Sequence, residues 1–175
     1  YGYATRNTHV NTSWDYAKFE IAAQRYADLS DNDYGVAILT NCKYGYRIAD
    51  GVLDLNLLRS PTHPDPDADL GAQEFTYALL PHMGRMIDSN VQTEAAMMNR
   101  APVVWNGCVA DSVVLPVSVE GDGISLEVLK KAEKEDCLIL RIVETLGRRS
   151  KGRLVFNKTF NTISETNLME WIDKE

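Results

Sequence analysis

Three acidic residues alternate with small or proline residues in the segment Ser60-Pro61-Thr62-His63-Pro64-Asp65-Pro66-Asp67-Ala68-Asp69-Leu70-Gly71. Carboxylates this close in sequence can accept hydrogen bonds from sugar hydroxyls. They can also act as a pair in glycoside cleavage, when held roughly 5 Å or 6.5–9.5 Å apart across the bond. A third use is oxygen ligation of a calcium-like cation, although the regular spacing of an EF-hand loop is absent. The remaining reading is a polar surface loop stiffened by proline, which fixes φ and removes a backbone donor. Asp65, Asp67 and Asp69 are the first place to look, because binding groups concentrate on loops carried by a rigid scaffold. A second place is Lys43-Tyr44-Gly45-Tyr46-Arg47. Here Tyr44 and Tyr46 either present faces on which a sugar stacks or cover the edge of a core.

A hydrolase needs a nucleophile or an activated water held beside an acid or base. The chain has three histidines, His9, His63 and His82. None stands in an HExxH, HxD or Ser-His-Asp context, and their spacing fits no metal cage, so structural histidines are expected. Cys42, Cys108 and Cys137 are odd in number and far apart. They build neither a disulfide framework nor a CxxC site, which predicts reduced thiols in a cytoplasmic setting. The net charge of −7 and a largest basic cluster of Arg148-Arg149-Ser150-Lys151 argue against a nucleic-acid partner. No apolar run approaches the ~20 residues of a membrane span. The opening Tyr1-Gly2-Tyr3, with no initiator Met, predicts a part of a longer product.

The elements that must position these groups read mostly as strands. Phe19 to Tyr26 is the first. Gly35 to Thr40 is continuously apolar, which predicts burial on both faces. Val52 to Leu58 alternates, with Asp54 and Asn56 turned away from the leucines. The proline-rich segment must be an irregular loop. Glu74 to Leu80 returns to strand and is closed by Pro81. Met86 to Arg100 is the helix of the chain, with Met86, Val91, Ala95 and Met98 on one face. Strands then resume over Val113–Val119, Gly123–Leu129 and Cys137–Val143. The tip Gly147 to Gly152 predicts a hairpin from that last strand to Arg153–Phe156. Thr166 to Glu175 is ambiguous between strand and short helix. Trp14, Trp105 and Trp171 read as core or interface anchors. Many short strands with one helix predict an all-β fold, a large antiparallel β-sandwich. Residues 1–115 are expected to form the sandwich region, and residues 116–175 terminal strands or a small β-subdomain, with the boundary near Asp111 to Pro116.

Several blocks in order resemble the C-terminal region of glycoside hydrolase family 38 α-mannosidases of the bacterial, vacuolar and cytosolic branch. They are Thr8 to Asp15, Ala17 to Glu20 and Arg25 to Ser30; then Tyr34 to Leu39 and Asn41 to Tyr46; then Leu55 to Pro61, Pro64 to Pro66, Ala68-Asp69, Gly71 and Phe75 to His82. Leu129 to Glu133, Leu140 to Glu144 and Glu165 to Glu170 match more loosely. The chain departs from the family at Gln24 and near Gln73, where histidine is usual, and at Asn7, where proline is common.

The resemblance implies a supersandwich of galactose-mutarotase-like type and retaining hydrolysis of terminal α-linked mannose. It implies a zinc ion, or another divalent metal, bound in the parent enzyme, and none bound by this chain. It carries over no catalytic residue, because the nucleophile and metal-ligand motifs belong to an N-terminal α/β catalytic domain, the expected partner of this chain. It implies further that the loop Pro64 to Gly71, following Arg59, lines the rim of the mannoside pocket through Asp65, Asp67 and Asp69. Tyr44 and Tyr46 are the weaker rim candidates. The leading expectation is an accessory region inactive alone, with homo-oligomerisation open. One alternative is an autonomous carbohydrate-binding β-sandwich module. Another is a mutarotase-type enzyme, which needs a histidine and a carboxylate paired in a sandwich groove.

Overall fold

The computed structural model describes residues 2–104, 106–108 and 114–172. Trp105, Val113 and the first half of the expected boundary near Asp111 to Pro116 lie outside them, as does the end of the Thr166–Glu175 segment. The chain divides into two compact units, Arg6–Trp105 and Tyr1–Thr5 with Asn106–Glu175. Both are built from antiparallel strands, as the all-β reading expects. Among the described residues no helix is long and apolar enough to cross a membrane.

The Arg6–Trp105 unit opens with a single helical turn, α1 (Ser13–Tyr16), whose N-cap Thr12 accepts the Asp15 N–H and donates its own hydroxyl to Asp15. This Thr-x-x-Asp reciprocity is the sequence signature of a helix start. Five strands follow before the acidic loop: β1 (Ile21–Ala22), β2 (Tyr26–Ser30), β3 (Tyr34–Thr40), β4 (Gly45–Ala49) and β5 (Val52–Asn56). After the loop come β6 (Tyr77–Met83), a 3₁₀ turn at Met86–Asp88 and the helix α2 (Val91–Asn99). One sheet has the order β2-β3-β6 and the other β1-β4-β5.

The central strand β3 is buried on both faces. Ala37 and Leu39 pack with Met86, Val91 and Ala95, while Ile38 joins Ala27 and Tyr46 on the opposite side. Side chains alternate along a strand, so only an unbroken apolar run serves two such layers. β5 follows the simpler rule of one buried face: Leu53 and Leu55 enter the core, and Asp54 meets Arg47 of β4 at 3.2 Å. Both partners of that pair are half exposed, so it contributes at most about 1 kcal/mol. Between β4 and β5 the chain turns in two residues, Asp50 and Gly51, both at positive φ. That is the geometry for which Asp-Gly is favoured.

The expected helix forms in two pieces with the expected face. Met86, Val91 and Ala95 are buried and Met98 packs beside them. Ser89 makes the break, its hydroxyl donating to the Met86 carbonyl at 2.6 Å and accepting the Val91 N–H at 3.3 Å. Such local side-chain bonds compete with helical ones.

Three expectations are corrected. Phe19–Tyr26 is not one strand, because Arg25 takes a φ of 69° and sends β1 and β2 into different sheets. Pro81 does not close β6; it pairs with Val36 within it. β6 is an edge strand, where a residue lacking an N–H is tolerated. In the other unit, β7 (Val117–Glu120) pairs with β10 (Arg153–Phe156), and β8 (Ile124–Lys131) with β9 (Leu138–Glu144). The tip 147–152 is therefore not a β9–β10 hairpin. Glu144 organises it instead, its carboxylate accepting the N–H groups of Leu146 (2.8 Å) and Arg148 (3.2 Å) and the Ser150 hydroxyl (3.2 Å).

Burial opposes the charge on Glu144, but those donors outweigh it and hold the carboxyl below its ordinary value. A depressed carboxyl contributes order that is present above the unfolded pKa and lost as pH falls through the folded one. The amides of Leu146 and Arg148 should therefore lose protection, measured against their intrinsic exchange rates, as pH falls into the acid range. Glu144→Gln should give the same loss at neutral pH as well. Unchanged exchange in the variant would mean that the carboxylate does not hold the loop.

The last stretch folds back on itself. Thr166 bridges Ile172, and Glu170 receives Lys130 at 2.7 Å and the Glu133 N–H at 2.9 Å. Trp14 and Trp171 are 80% and 59% exposed, so neither is a core residue.

Candidate functional site

The loop between β5 and β6 is irregular, as its prolines require, and is tied at its base. Ser60 and Asp69 both have positive φ. The Asp69 carboxylate accepts the Ser60 N–H at 2.9 Å and the Arg59 N–H at 3.4 Å, closing the loop across nine residues. At the tip, Asp65 accepts the Asp67 N–H through its carboxylate at 3.0 Å, and its carbonyl accepts the Ala68 N–H at 3.4 Å. This is the self-bonding turn that Asp favours. The three carboxylates therefore differ in role. Asp65 and Asp69 hold the loop in shape, while the Asp67 carboxylate has no hydrogen-bond or ion-pair partner among the described residues. All three are exposed, and so is Arg59.

The return of the loop is pinned as well. Asn41 exchanges hydrogen bonds with Thr76, its side chain accepting the Thr76 N–H at 3.0 Å and its own N–H reaching the Thr76 carbonyl at 3.2 Å. Lys43 lies over the Phe75 ring, 5.0 Å from its centroid. The turn that carries Tyr44 is thus fastened to the end of the acidic loop. Tyr44 is 52% exposed and can offer a ring face. Tyr46 cannot: it lies inside β4, opposite Leu55 and Ile21, and is fully buried. Burial pushes its phenol up to about 12, and its hydroxyl has no hydrogen-bond partner among the described residues. Arg47 faces Asp54 rather than flanking a sugar platform.

Among the described residues no three His, Cys, Asp or Glu side chains converge closely enough to hold a metal ion. The cation reading of the acidic loop and a cage of His9, His63 and His82 both lack a ligand set. His9 stands 3.6 Å from Asp15, and His63 is exposed on the loop. All three cysteines are free and exposed.

Sequence reasoning missed one polar cluster. His82 Nε2 lies 2.7 Å from Asp28 Oδ2, and the Ser30 hydroxyl donates to Asp28 Oδ1 at 2.5 Å. The cluster bridges β6 to β2 across β3 at Gly35, which is paired with both Ser30 and His82. The carboxylate sits between serine and histidine, so the order is wrong for activating the serine as a nucleophile. A mutarotase-type reading needs a His–carboxylate pair open to a groove. The side chains of this pair are only 4% and 9% exposed, so it is a structural clamp. The signal was weak: 54 residues separate the partners, and only the register of three strands joins them.

The architecture defines an all-β region of antiparallel sheets carrying a braced acidic loop. Residues 1–67 match the glycosyl hydrolases family 38 C-terminal domain, and residues 123–175 match that family's C-terminal beta sandwich domain. The chain belongs to glycosyl hydrolase family 38, as a piece of its C-terminal part. It is 34% identical to α-mannosidase G of Dictyostelium discoideum over 99% of its own length and 17% of that protein's. It is 42% identical to α-mannosidase 2C1 of Mus musculus over 84% of its length and 15% of the relative's. Against the α-mannosidase of Saccharomyces cerevisiae it is 33% identical, over 92% and 16% respectively. The chain thus spans about one-sixth of the length of these curated relatives.

Proposed function

We propose that this chain is an accessory part of a longer retaining α-mannosidase, and that it shapes the rim of the mannoside pocket without breaking the bond itself. The observation that carries this reading is the built loop 59–71. It spends two carboxylates on its own geometry and leaves the third, Asp67, free to accept hydrogen bonds from sugar hydroxyls. Arg59 and Tyr44 lie at the ends of the two segments that brace it. A preformed loop costs less ordering entropy when it meets a ligand than a mobile one does. We assign the zinc ion that the family resemblance implies, with the nucleophile and the acid/base, to the rest of the polypeptide; among the described residues no ligand set converges. The cytoplasm remains the compartment we propose.

In the full-length enzyme, Asp67→Asn should lower kcat/KM on an aryl α-mannoside about tenfold, from the loss of a charge-assisted hydrogen bond. Asp69→Ala should give a loss of similar size by releasing the base of the loop. Unaltered kinetics in both variants would remove the loop from the pocket.

A further inference from the structure

The face of the β2-β3-β6 sheet opposite the Asp28–His82 clamp is largely apolar, and it is left uncovered at β6. The registers Tyr34↔Met83, Ile38↔Leu79 and Thr40↔Tyr77 place these side chains on the face of the sheet that also carries Ile38. Ile38 itself packs against the β1-β4-β5 sheet. Tyr34, Tyr77, Leu79 and Met83 are 51%, 54%, 65% and 76% exposed. A cleft of about 540 Å³ opens beside them, lined by Leu29, Val36, Ile38, Leu53 and Leu79 and also by Ser30 and Asp31. β6 is also an edge of its sheet, seven residues long and without a charged lysine or carboxylate. Proteins guard such edges with charge, brevity or cover, and here only Pro81 interrupts the row of donors.

Contiguous apolar surface of this kind marks an interface. Two occupants are in question, a second copy and the remainder of the polypeptide. The net charge of −7 sets copies of this chain against one another. The relatives, by contrast, carry about five-sixths of their length outside the matched region.

Resting on the proposed membership of a longer α-mannosidase, we infer that the β6 face and its cleft seat an apolar, strand-bearing surface of that same polypeptide from outside residues 1–175. Methionine oxidation reads this directly, because it follows exposure. In the native full-length enzyme treated with dilute peroxide, Met83 should oxidise about tenfold more slowly than in the urea-unfolded enzyme. Leu79→Lys should lower the melting temperature of the full-length enzyme by several degrees. Met97→Lys should leave it nearly unchanged, although the two residues are 65% and 66% exposed here. A native enzyme that hydrolyses mannoside while Met83 oxidises at the unfolded rate would overturn the seat and leave the rim loop standing. Equal effects of the two lysines would overturn it also. Protection of Met83 that vanishes on dilution to a monomer would assign the face to a second copy and overturn it as well.

Discussion

Tyr46→Ala should cost about 3–5 kcal/mol of stability, the range for removing a large buried ring that the surroundings cannot replace. Tyr46→Phe should cost nothing, or stabilise slightly. The ring is fully buried between the two sheets of the Arg6–Trp105 unit, among Ala27, Ile38, Ile21, Leu53 and Leu55. Its hydroxyl is buried with no partner among the described residues, so the fold already bears the desolvation cost of that group. Deleting the oxygen removes a cost of about 1–3 kcal/mol and opens only a small gap. Urea unfolding of both variants checks the pair. A phenylalanine variant destabilised by more than about 1 kcal/mol would show that the hydroxyl is satisfied after all.

The same phenol adds an alkaline limb. Its folded value of about 12 lies above the ordinary 10, so the folded state holds this proton more tightly than the unfolded chain does. The stability it contributes is whole below pH 10 and falls as pH rises to 12, by about 3 kcal/mol in total. Tyr46→Phe should flatten that part of the decline.

Gly35→Ala should be nearly as damaging, although glycine to alanine is commonly mild in a strand. A Cβ at residue 35 would collide with the Ser30 Cβ and stand 2.5 Å from His82 Cε1. Neither neighbour is the loose end of a flexible side chain: Ser30 is fixed by its paired backbone, and His82 by Asp28 at 2.7 Å. Overpacking alone costs about 1–3 kcal/mol. Displacing the imidazole would also leave the buried Asp28 carboxylate uncompensated, a penalty of about 3–5 kcal/mol when complete. We expect a total near 3–5 kcal/mol, partial relaxation being shared between the two. His82→Ala should relieve part of the clash, so the double variant should be less destabilised than the sum of the singles by at least about 1 kcal/mol. Strict additivity would mean that Gly35 and the clamp are independent.

Much of this protein is legible in its amino-acid sequence. The doubly buried β3 follows from an unbroken apolar run. The outward Asp54 follows from alternation, and the buried face of α2 from the spacing of Met86, Val91 and Ala95. The irregular loop follows from its prolines. Each of these depends on steric or solvation preferences that act within a few residues. Two further local signals, Thr12-x-x-Asp15 and Asp50-Gly51, are also present and suffice to place α1 and the β4–β5 turn.

What escapes a sequence reading depends on which distant segments pair. Tyr44 and Tyr46 are the same residue type two positions apart. One is half exposed and the other sealed, because only Tyr46 falls within β4 opposite Leu55. The basic tip resembles a hairpin, yet β10 pairs with β7 rather than β9. Asp28 and His82 become a clamp only through the register of β2, β3 and β6. The three loop aspartates look equivalent in sequence and divide their work only when the backbone N–H groups that Asp65 and Asp69 accept are in place. Side-chain type and local spacing therefore determined most of the elements and their buried faces, while the family was carried by the resemblance of whole blocks in order. Long-range strand pairing, which the chain encodes only collectively, decided which polar groups meet and which are left free for a ligand.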